Sequence, residues 1–508
     1  MHAVSAAIVT QPSDVDLELR HHVHPPSWIN PEPAAKYDLL VLGGGTAGLV
    51  SAIGAAGLGA RVALVERHLL GGDCLNTGCV PSKAVIRSAR AIGEIRRAAG
   101  FGVTTGTTQV DFSAVMQRMR ERRAAIAAHD SAERLRAAGV DVFFGSAAFA
   151  DDRTIVVEKQ HFPFRRAVIA TGGRATAPPV PGLDAVPFLT NETVFALTEL
   201  PRRLLVIGAG PIGCELAQAF ARFGSQVTVF DQAQGVLSRE DLEAGAIVRR
   251  SLETDGVRFE LGVRLERVDT TTGQLRVHFT RGEHGRTEAE AVSGDALLVA
   301  AGRAPNIEDL QLEAAGIAAT RQGVTVNDRL QTSNPRVYAS GDVCSEFKFT
   351  HAADAMSRIV IQNALFYGRR KASALVIPWV TYTDPEVAHV GVSESDIAKA
   401  QGRLQTLTVP LSEIDRAVVD DETDGFVRVH HEKGRLRGCT IVAPHAGEMI
   451  GEVAYAMTQG GTLGALSSTI HPYPTQAEAL RKAGDMYRRQ SLTPRVRRWL
   501  ERYFQWTR

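Results

Sequence analysis

The sequence predicts an α/β fold that contains the same β-α-β unit twice, with an offset of 165 residues. In each copy an apolar strand, at 39–42 and at 204–207, leads into a glycine-rich turn and then a helix. A second strand closes each copy on an acidic residue, Glu66 or Asp231, eighteen positions after the last glycine of the turn. This context is the one that a Rossmann-like dinucleotide-binding domain requires. The repeat therefore predicts two such domains and electron traffic between two cofactors.

Each glycine-rich turn supplies a set of candidate cofactor-binding residues. The glycines permit the tight turn, the close approach of the pyrophosphate and the packing of helix on strand, while the helix N-terminus faces the phosphates. Asp231 is expected to bind the adenosine ribose and to repel a 2′-phosphate, which favours NADH over NADPH, with Arg239 as the alternative phosphate ligand. The predicted residues are Gly43, Gly45, Thr46, Ala47, Gly48, Glu66 and Arg67 in the first copy, and Gly208, Gly210, Pro211, Ile212, Gly213 and Asp231 in the second.

Bulk composition limits the class of protein. At 508 residues the chain is long enough for three or four folding units, and a formal net charge of +1 does not indicate nucleic acid as a partner. Five cysteines indicate a reducing compartment rather than a secreted disulfide scaffold. Since no signal peptide or membrane-spanning stretch is recognised, a cytoplasmic location is expected.

The first 36 residues are predicted to form a mobile arm, because they carry several prolines and no apolar period. The arm contains His21, His22 and His24, for which metal capture is one interpretation. A polar, disordered stretch is the preferred interpretation, because no cysteine or carboxylate cluster accompanies these histidines. No metal site is therefore predicted.

A cysteine pair, Cys74 and Cys79, follows the first β-α-β unit directly. The two thiols flank a glycine-containing turn at the start of a helix predicted from Ser82 to about Ala99. A helix N-terminus favours the thiolate, and a short loop closed by a disulfide is easily reduced. The pair is therefore predicted to be redox-active.

The segment 74–83, which reads CLNTGCVPSK, lies between two nucleotide fingerprints and resembles the class I pyridine nucleotide–disulfide oxidoreductases. That family includes dihydrolipoamide dehydrogenase, glutathione reductase and mercuric reductase, and the resemblance runs from about Tyr37 to Arg488. It implies an FAD-dependent enzyme that uses NADH or NADPH and works as a homodimer. The expected fold is α/β, with two Rossmann-like dinucleotide-binding domains and an α+β C-terminal dimerisation domain. The expected segments are an arm (1–36), an FAD-binding domain in two parts (37–175 and 302–372), an NAD(P)-binding domain (176–301), a dimerisation domain (373–490) and a basic aromatic tail (491–508).

The resemblance also implies roles for single residues. Cys79 is expected at the flavin, Cys74 is expected to be the exposed interchange thiol, and Glu66 is expected to bind the adenosine ribose of FAD. Lys83 and Glu215 match the ion pair of the family near the flavin N5. Asp342 matches the aspartate that holds the ribityl chain. Further residues expected at the cofactors are Gly72, Asp73, Thr171, Gly172, Gly302, Arg303 and Gly341.

The C-terminal motif departs from the thiol-reducing members. These members carry His-Pro-Thr-x-x-Glu, whereas residues 471–478 read HPYPTQAE. With Glu478 aligned, Tyr473 occupies the acid/base position and His471 is displaced by two residues. A tyrosine in that position resembles mercuric reductase, and a phenol with a pKa of about 10 is a poor base for a dithiol. The expected acceptor is therefore a soft metal ion or another small molecule reduced directly.

Two other functions remain open. If His471 reaches the disulfide, the chain is a dihydrolipoamide dehydrogenase. A membrane-recruited redox sensor or regulator is the alternative from another class. Mercury detoxification itself is not expected. Mercuric reductase uses a second cysteine pair at its C-terminus to hand over the metal, whereas the last cysteine of this chain is Cys439. The tail 491–508 interleaves arginines with aromatic residues, and it is predicted either to pack on the dimer, which is preferred, or to lie on an anionic membrane.

Overall fold

The computed structural model describes residues 13–283 and 286–508. These residues form two compact units. The first unit comprises the chain up to Gly208 together with Ala219–Gln232 and Val257–Leu375. The second comprises Ala209–Gln218, Ala233–Gly256 and Val376–Arg508. None of the described helices combines the length and the hydropathy that a membrane span needs.

The chain up to residue 175 supplies six strands of the first sheet and the helices around it. Its elements are α1 (Asp14–Val23), β1 (Tyr37–Leu42), α2 (Thr46–Gly57), β2 (Val62–Glu66), α3 (Gly72–Asn76), α4 (Cys79–Arg97), α5 (Phe112–Ala127), α6 (Ala132–Ala137), β3 (Val140–Phe144), β4 (Ala147–Phe149), β5 (Thr154–Val157), β6 (Gln160–Ile169) and β7 (Gly173–Ala175).

Residues 203–366 supply the second fingerprint and the return to the first sheet. Their elements are β8 (Arg203–Ile207), α7 (Pro211–Phe223), β9 (Gln226–Asp231), α8 (Leu242–Thr254), β10 (Val257–Leu261), β11 (Val263–Thr271), β12 (Gln274–Glu283), β13 (Arg286–Gly294), β14 (Ala296–Val299), β15 (Arg303–Pro305), β16 (Ala319–Thr320), β17 (Gly323–Val324), β18 (Val337–Ala339) and α9 (Thr350–Phe366).

The first sheet has the strand order β3-β2-β1-β6-β5-β4, and β18 pairs with β6. β3, β2, β1, β6 and β18 are paired in parallel, so their carboxyl ends meet at one edge. Strand β1 is apolar along its length because both of its faces are covered; Leu39, Leu40 and Val41 are fully buried. This arrangement places the turns after β1, β2, β6 and β18 at the same edge of the sheet.

A second parallel sheet, with the order β10-β9-β8-β14, contains the second fingerprint. The antiparallel strands β11, β12 and β13 follow β10 in the chain and form a separate three-stranded sheet. Strands β7 and β15 pair antiparallel, so the segment that leaves the first sheet and the segment that returns to it lie side by side.

The C-terminal part is an antiparallel sheet with helices. Its elements are β19 (Pro378–Thr381), β20 (Glu386–Gly391), α10 (Glu394–Lys399), β21 (Gln405–Pro410), α11 (Asp415–Val419), β22 (Phe426–Glu432), β23 (Arg435–Ala443), α12 (Ala446–Thr458), α13 (Leu463–Ser468), α14 (Glu478–Gln490) and α15 (Pro494–Thr507). The strand order is β19-β20-β23-β22-β21, and α12, α13 and α14 bury their apolar faces in the same core. The predicted α/β class with an α+β C-terminal domain is confirmed; the predicted domain boundaries stay predictions.

The structure corrects the predicted mobile arm for residues 13–36. Ser13 caps α1, and Leu19 and Val23 are buried against the first unit. Further along, Trp28 Nε1 donates to Val142 O at 3.2 Å, and the Asn30 amide exchanges two hydrogen bonds with the backbone of Phe144. The sequence did not predict these contacts, because few positions of α1 are buried and the prolines that follow it indicated an irregular segment. Residues 1–12 of the predicted arm lie outside the described residues.

Candidate active site

The first glycine-rich turn lies at the carboxyl edge of the first sheet, between β1 and α2. Glycine is required there, because a Cβ at Gly43 would lie 2.4 Å from Ala170 O and one at Gly48 would lie 1.8 Å from Gly43 O. Gly45 is the N-cap of α2, and no side chain of the described residues caps this helix. Its first N–H groups are therefore available to an anion, as a pyrophosphate site requires.

Glu66 ends β2 beside this turn and is buried. Its Oε2 accepts a hydrogen bond from Gly44 N at 2.6 Å, and its Oε1 accepts one from His68 N at 2.7 Å. The carboxylate thus holds the turn in place, while the next residue, Arg67, is exposed. The predicted cluster Gly43, Gly45, Thr46, Ala47, Gly48 and Glu66 is brought together at one end of the sheet, and it fits the adenosine and pyrophosphate part of FAD.

The segment 70–79, called the cysteine loop because it carries Cys74 and Cys79, packs directly on the glycine-rich turn. Gly71 N donates to Gly44 O at 2.8 Å. Gly72 has a φ of +58°, and a Cβ there would lie 2.6 Å from Gly45 Cα. Helix α3 therefore begins in contact with the turn, and it carries Cys74 in the middle of its five residues.

The two thiols lie close enough to share a hydrogen bond. Cys79 is the first residue of α4, so the helix that the sequence predicts from Ser82 begins three residues earlier, at the cysteine itself. Cys79 is exposed and Cys74 is half-buried, which is the reverse of the expectation that Cys74 is the exposed thiol; α3, which carries Cys74, packs on the glycine-rich turn. The hydrogen bond with Cys79, followed by burial, raises the pKa of Cys74. This direction is opposite to the one that the helix N-terminus alone predicts for both thiols.

Thr350 is a site residue for which sequence reasoning gave no role. It is the first residue of α9, and its Oγ1 lies 3.5 Å from Cys79 Sγ. Its hydroxyl also contacts Cys74, and this contact lowers the pKa of that thiol against the dominant effect of Cys79. The N-termini of α4 and α9 therefore meet at the cysteine pair. Nothing near Thr350 in the chain marks this contact, which joins residues 271 positions apart.

Arg303 ties the cysteine loop to the second FAD motif. Its guanidinium forms an ion pair with Asp73, and it lies 3.5 Å from Asp342 Oδ2. Burial raises the pKa of Asp342, and the neighbouring Arg303 opposes this effect. Asn191, which the sequence did not indicate, donates from Nδ2 to Asp73 Oδ1 at 3.4 Å and to Thr77 O at 3.3 Å. The predicted residues Gly72, Asp73, Arg303, Gly341 and Asp342 thus lie around one site within the first unit.

The turn after β6 is also fixed by a partner that was not foreseen. Thr171 Oγ1 donates to Asn306 O at 2.6 Å, and Asn306 Nδ2 donates back to Thr171 O at 2.9 Å. Gly172 has a φ of +67°. At Gly302, with a φ of +122°, a Cβ would lie 2.7 Å from Thr176 Oγ1. The positive φ of Gly172 and the close approach at Gly302 explain why glycine stands where the two crossing segments meet.

The second glycine-rich turn runs from Gly208 to Gly210, and α7 begins at Pro211. A Cβ at Gly208 would lie 2.9 Å from Ala300 O, whereas one at Gly210 would meet nothing within 4 Å. Ile212 and Gly213 belong to the first turn of α7. Asp231 ends β9 and is half-buried, while Arg239 is exposed in the turn that follows. The strand, turn and helix occur in the order that the nicotinamide fingerprint predicts, and these residues fit a second dinucleotide.

Lys83 and Glu215 lie in different compact units. Lys83 is in α4, four residues after Cys79, and Glu215 is buried in α7, where its Oε1 accepts a hydrogen bond from Tyr382 N at 2.8 Å. Their ion pair stays a prediction.

The C-terminal candidates differ in how their side chains are presented. The His471 side chain is 5% exposed, and its Nε2 lies 3.1 Å from Glu452 Oε1. Tyr473 is 71% exposed, and its hydroxyl donates to Asp415 Oδ2 at 3.0 Å, which raises the pKa of the phenol. Glu478, the first residue of α14, forms an ion pair with Arg481.

Comparison with known proteins identifies the family. A family model described as pyridine nucleotide-disulphide oxidoreductase matches residues 37–357, and the model of its dimerisation domain matches residues 377–484. The chain is 34% identical to a mercuric reductase of Staphylococcus aureus over 450 residues, which are 88% of this chain and 82% of the relative. It is also 34% identical to a dihydrolipoyl dehydrogenase of Thermus scotoductus over 466 residues, 90% of this chain and 98% of the relative.

Solved structures agree with these matches. The HOCl-induced flavoprotein disulfide reductase RclA from Escherichia coli superposes with a TM-score of 0.78 at 29% identity, over 88% of this chain and 99% of that one. Its Cu(II) complex gives the same TM-score, over 89% and 100%. Together with the two glycine-rich turns and the cysteine pair, these matches show that the chain belongs to the pyridine nucleotide–disulphide oxidoreductase family, as an FAD-dependent enzyme with NAD(P)H as its electron donor and a dimerisation domain that supports a homodimer.

Proposed function

We propose that this enzyme passes electrons from NADH through FAD and the Cys74–Cys79 disulfide to a soft metal ion, or to another acceptor that needs no proton removed from a thiol. When bound, FAD supplies hydride acceptance from the nicotinamide and two-electron transfer to the disulfide. The contribution of the chain is to hold the reacting groups in place and to control the protons on the two sulfurs.

The single observation that carries this proposal is the contrast between Tyr473 and His471. The His471 imidazole is hydrogen-bonded to Glu452 of its own chain, whereas the Tyr473 phenol is exposed. The hydrogen bond to Asp415 raises the pKa of Tyr473, so that even less phenolate is present at neutral pH to accept a proton. Thiol–disulfide interchange would therefore lack its usual base. The names of two relatives, a mercuric reductase and a Cu(II) complex of RclA, support a metal ion as the acceptor.

Roles for the site residues follow from their contacts. Cys79, the first residue of α4, is proposed as the sulfur that carries the negative charge beside the flavin, because the helix N-terminus stabilises a thiolate. Cys74, whose pKa the hydrogen bond with Cys79 raises, is proposed as the interchange thiol. Thr350, hydrogen-bonded to Cys79, is proposed to position that sulfur. Thr350→Val should weaken the thiolate–flavin charge-transfer absorbance, and Thr350→Ser should restore it.

A panel of acceptors tests the proposal. The wild-type enzyme, reduced by NADH, is expected to turn over Hg²⁺ or Cu²⁺ faster than lipoamide or glutathione disulfide. Tyr473→His should raise lipoamide turnover, by an amount that a positioned base supplies, roughly 10²-fold or more. Fast wild-type turnover of dihydrolipoamide that collapses in His471→Gln would contradict the proposal and would make this enzyme a dihydrolipoamide dehydrogenase.

Contact of the tail with an anionic membrane is kept as a secondary proposal. It is supported by α15, in which no residue is buried and in which Val496, Trp499 and Tyr503 recur at helical spacing among four arginines. Binding of the intact enzyme to phosphatidylglycerol vesicles, lost when 491–508 is removed and absent with phosphatidylcholine, would support it. If removal changes only the oligomeric state, the tail packs on the dimer instead. The cytoplasmic location likewise stays a proposal, based on the small number of cysteines.

A further inference from the structure

The segment 13–30, called the strap below, precedes the part of the chain that the family model matches, which begins at residue 37. It nevertheless contacts the cysteine loop. Helix α1 of the strap packs on α5, and Val23 O accepts a hydrogen bond from Leu70 N at 3.0 Å. The strap therefore reaches the residue that stands just before Gly71 and the start of α3.

A second contact runs through Arg123 of α5. Its Nη2 donates to Asp16 Oδ1 in the strap at 2.9 Å, and its Nη1 donates to Asn76 O at 3.1 Å. The two side chains of the ion pair are only 14% and 26% exposed. Burial lowers the pKa of the guanidinium, so the arginine depends on Asp16 for compensation of its charge.

Asn76 is the point at which this contact meets the redox pair. It is the last residue of α3, two positions after Cys74. Its Nδ2 donates to Leu70 O at 3.0 Å and to Gly72 O at 2.8 Å, which closes the loop from 70 to 76 on itself. The strap thus holds this loop at both ends: at Leu70 through Val23, and at Asn76 through Arg123.

We propose that the strap and Arg123 form a clamp on α3 that keeps Cys74 within reach of Cys79, which makes Asp16 and Arg123 positioning residues of the disulfide centre. The inference rests on the proposed role of Cys74 and Cys79 as the redox pair. Its physical basis is effective concentration, because a thiol held in place closes a disulfide far more readily than one on a mobile loop. Loosening α3 lowers the equilibrium constant for disulfide formation, since the reduced loop gains freedom that the closed loop lacks.

The test is an equilibrium with glutathione, in which the two protein thiols give up two electrons and two protons to glutathione disulfide and form the Cys74–Cys79 bond and two molecules of glutathione. The FAD-loaded enzyme is equilibrated in buffers of defined glutathione and glutathione disulfide, trapped with an alkylating agent and analysed by mass spectrometry. Arg123→Gln should lower the equilibrium constant about ten-fold, and Asp16→Asn, which keeps the shape of the side chain, about three-fold.

The matched control is Arg120→Gln, which removes an arginine of the same helix that donates to Leu197 O at 3.3 Å. It should leave the equilibrium constant within about two-fold of wild type, since Leu197 lies outside the cysteine loop. Melting temperatures identify any variant that does not fold, and Asp16→Asn keeps the test valid if Arg123→Gln fails. Equilibrium constants in Asp16→Asn and Arg123→Gln that match the control would overturn the clamp. A wild-type enzyme that forms no Cys74–Cys79 bond would overturn the proposed redox pair instead.

Discussion

The two glycine-rich turns share their spacing in the sequence and differ in their surroundings. The first is enclosed by the chain itself: Gly43 lies against Ala170, Gly72 lies against Gly45, and Glu66 binds the backbone of Gly44. At the second, a Cβ at Gly210 would meet nothing within 4 Å, whereas one at its counterpart in the first turn, Gly45, would lie 3.6 Å from Gly72 Cα. The middle glycine of the motif therefore has a neighbouring segment beside it in the first turn and open space in the second. This difference suits a cofactor that stays bound at the first turn and one that exchanges at the second.

The largest expected effect comes from an alanine placed at a crowded glycine of the first turn, compared with one placed at the uncrowded middle glycine of the second. Gly48→Ala should destabilise the protein by at least about 3 kcal/mol and prevent loading with FAD, because the added Cβ meets Gly43 O. Gly210→Ala should change the stability by no more than about 0.5 kcal/mol, while it raises the KM for NADH where the pyrophosphate approaches. Denaturant unfolding, flavin content and steady-state kinetics check both. Equal losses of stability would contradict the different packing of these two positions.

The next prediction concerns the cysteine loop, which is present only at the first turn. Cys79→Ser should abolish the long-wavelength charge-transfer absorbance of the two-electron-reduced enzyme and leave FAD bound, since the packing of Gly71 and Gly72 on the turn is unchanged. Cys74→Ser is the matched control and should keep the band. Anaerobic titration with NADH measures it. A band that survives in Cys79→Ser and vanishes in Cys74→Ser would reverse the two roles.

Low pH should reduce the stability of the protein through a residue outside both turns, since neither turn contains a histidine. Burial lowers the pKa of His430 in β22 to about 4, whereas a histidine in the unfolded state has a pKa of about 6.5. Between these two pH values the unfolded state binds a proton at this residue and the native state does not. Stability is therefore lost as the pH falls from 6.5 towards 4. His430→Gln should reduce this loss by up to about 3 kcal/mol, whereas His161→Gln, an exposed control, should not. An unchanged pH profile in His430→Gln would contradict the assignment.

The smallest effect concerns the acidic residue of the second turn. NADH should have a lower KM than NADPH, because the Asp231 carboxylate repels a 2′-phosphate. Asp231→Asn should reduce the preference about ten-fold, as loss of one charge repulsion predicts. Arg239→Gln provides the comparison, since it should leave NADH kinetics unchanged. A clear preference of the wild-type enzyme for NADPH would point to Arg239 as the phosphate ligand.

The sequence predicted the parts of the site that rest on local constraints. Glycines with a positive φ or a close backbone contact, such as Gly43 and Gly208, leave a recognisable spacing. A cysteine at the start of a helix likewise follows from the neighbouring residues, although α4 begins three residues earlier than predicted and ends at Arg97. The two nucleotide folds followed from the same repeats.

The parts that the sequence did not predict depend on contacts between distant segments. Thr350 meets Cys79 across 271 positions, and Asn191 meets Asp73 across 118. Nothing near either residue in the chain marks such a contact. The arm was predicted to be mobile for the same reason. Asp16 belongs to a short helix, and its partner Arg123 lies 107 positions later in the chain. The orientation of His471 towards Glu452 is also a result of the fold and not of the motif.

The packing of Gly71 and Gly72 on the glycine-rich turn has a thermodynamic consequence. The segment that holds the dinucleotide and the segment that carries the disulfide share a backbone hydrogen bond, from Gly71 N to Gly44 O. A change in one segment alters the free energy of the other, and such coupling is reciprocal. The FAD affinity of the dithiol form divided by that of the disulfide form must equal the equilibrium constant for disulfide formation without FAD divided by the same constant with FAD. Cofactor content and thiol state in this protein are therefore one linked equilibrium.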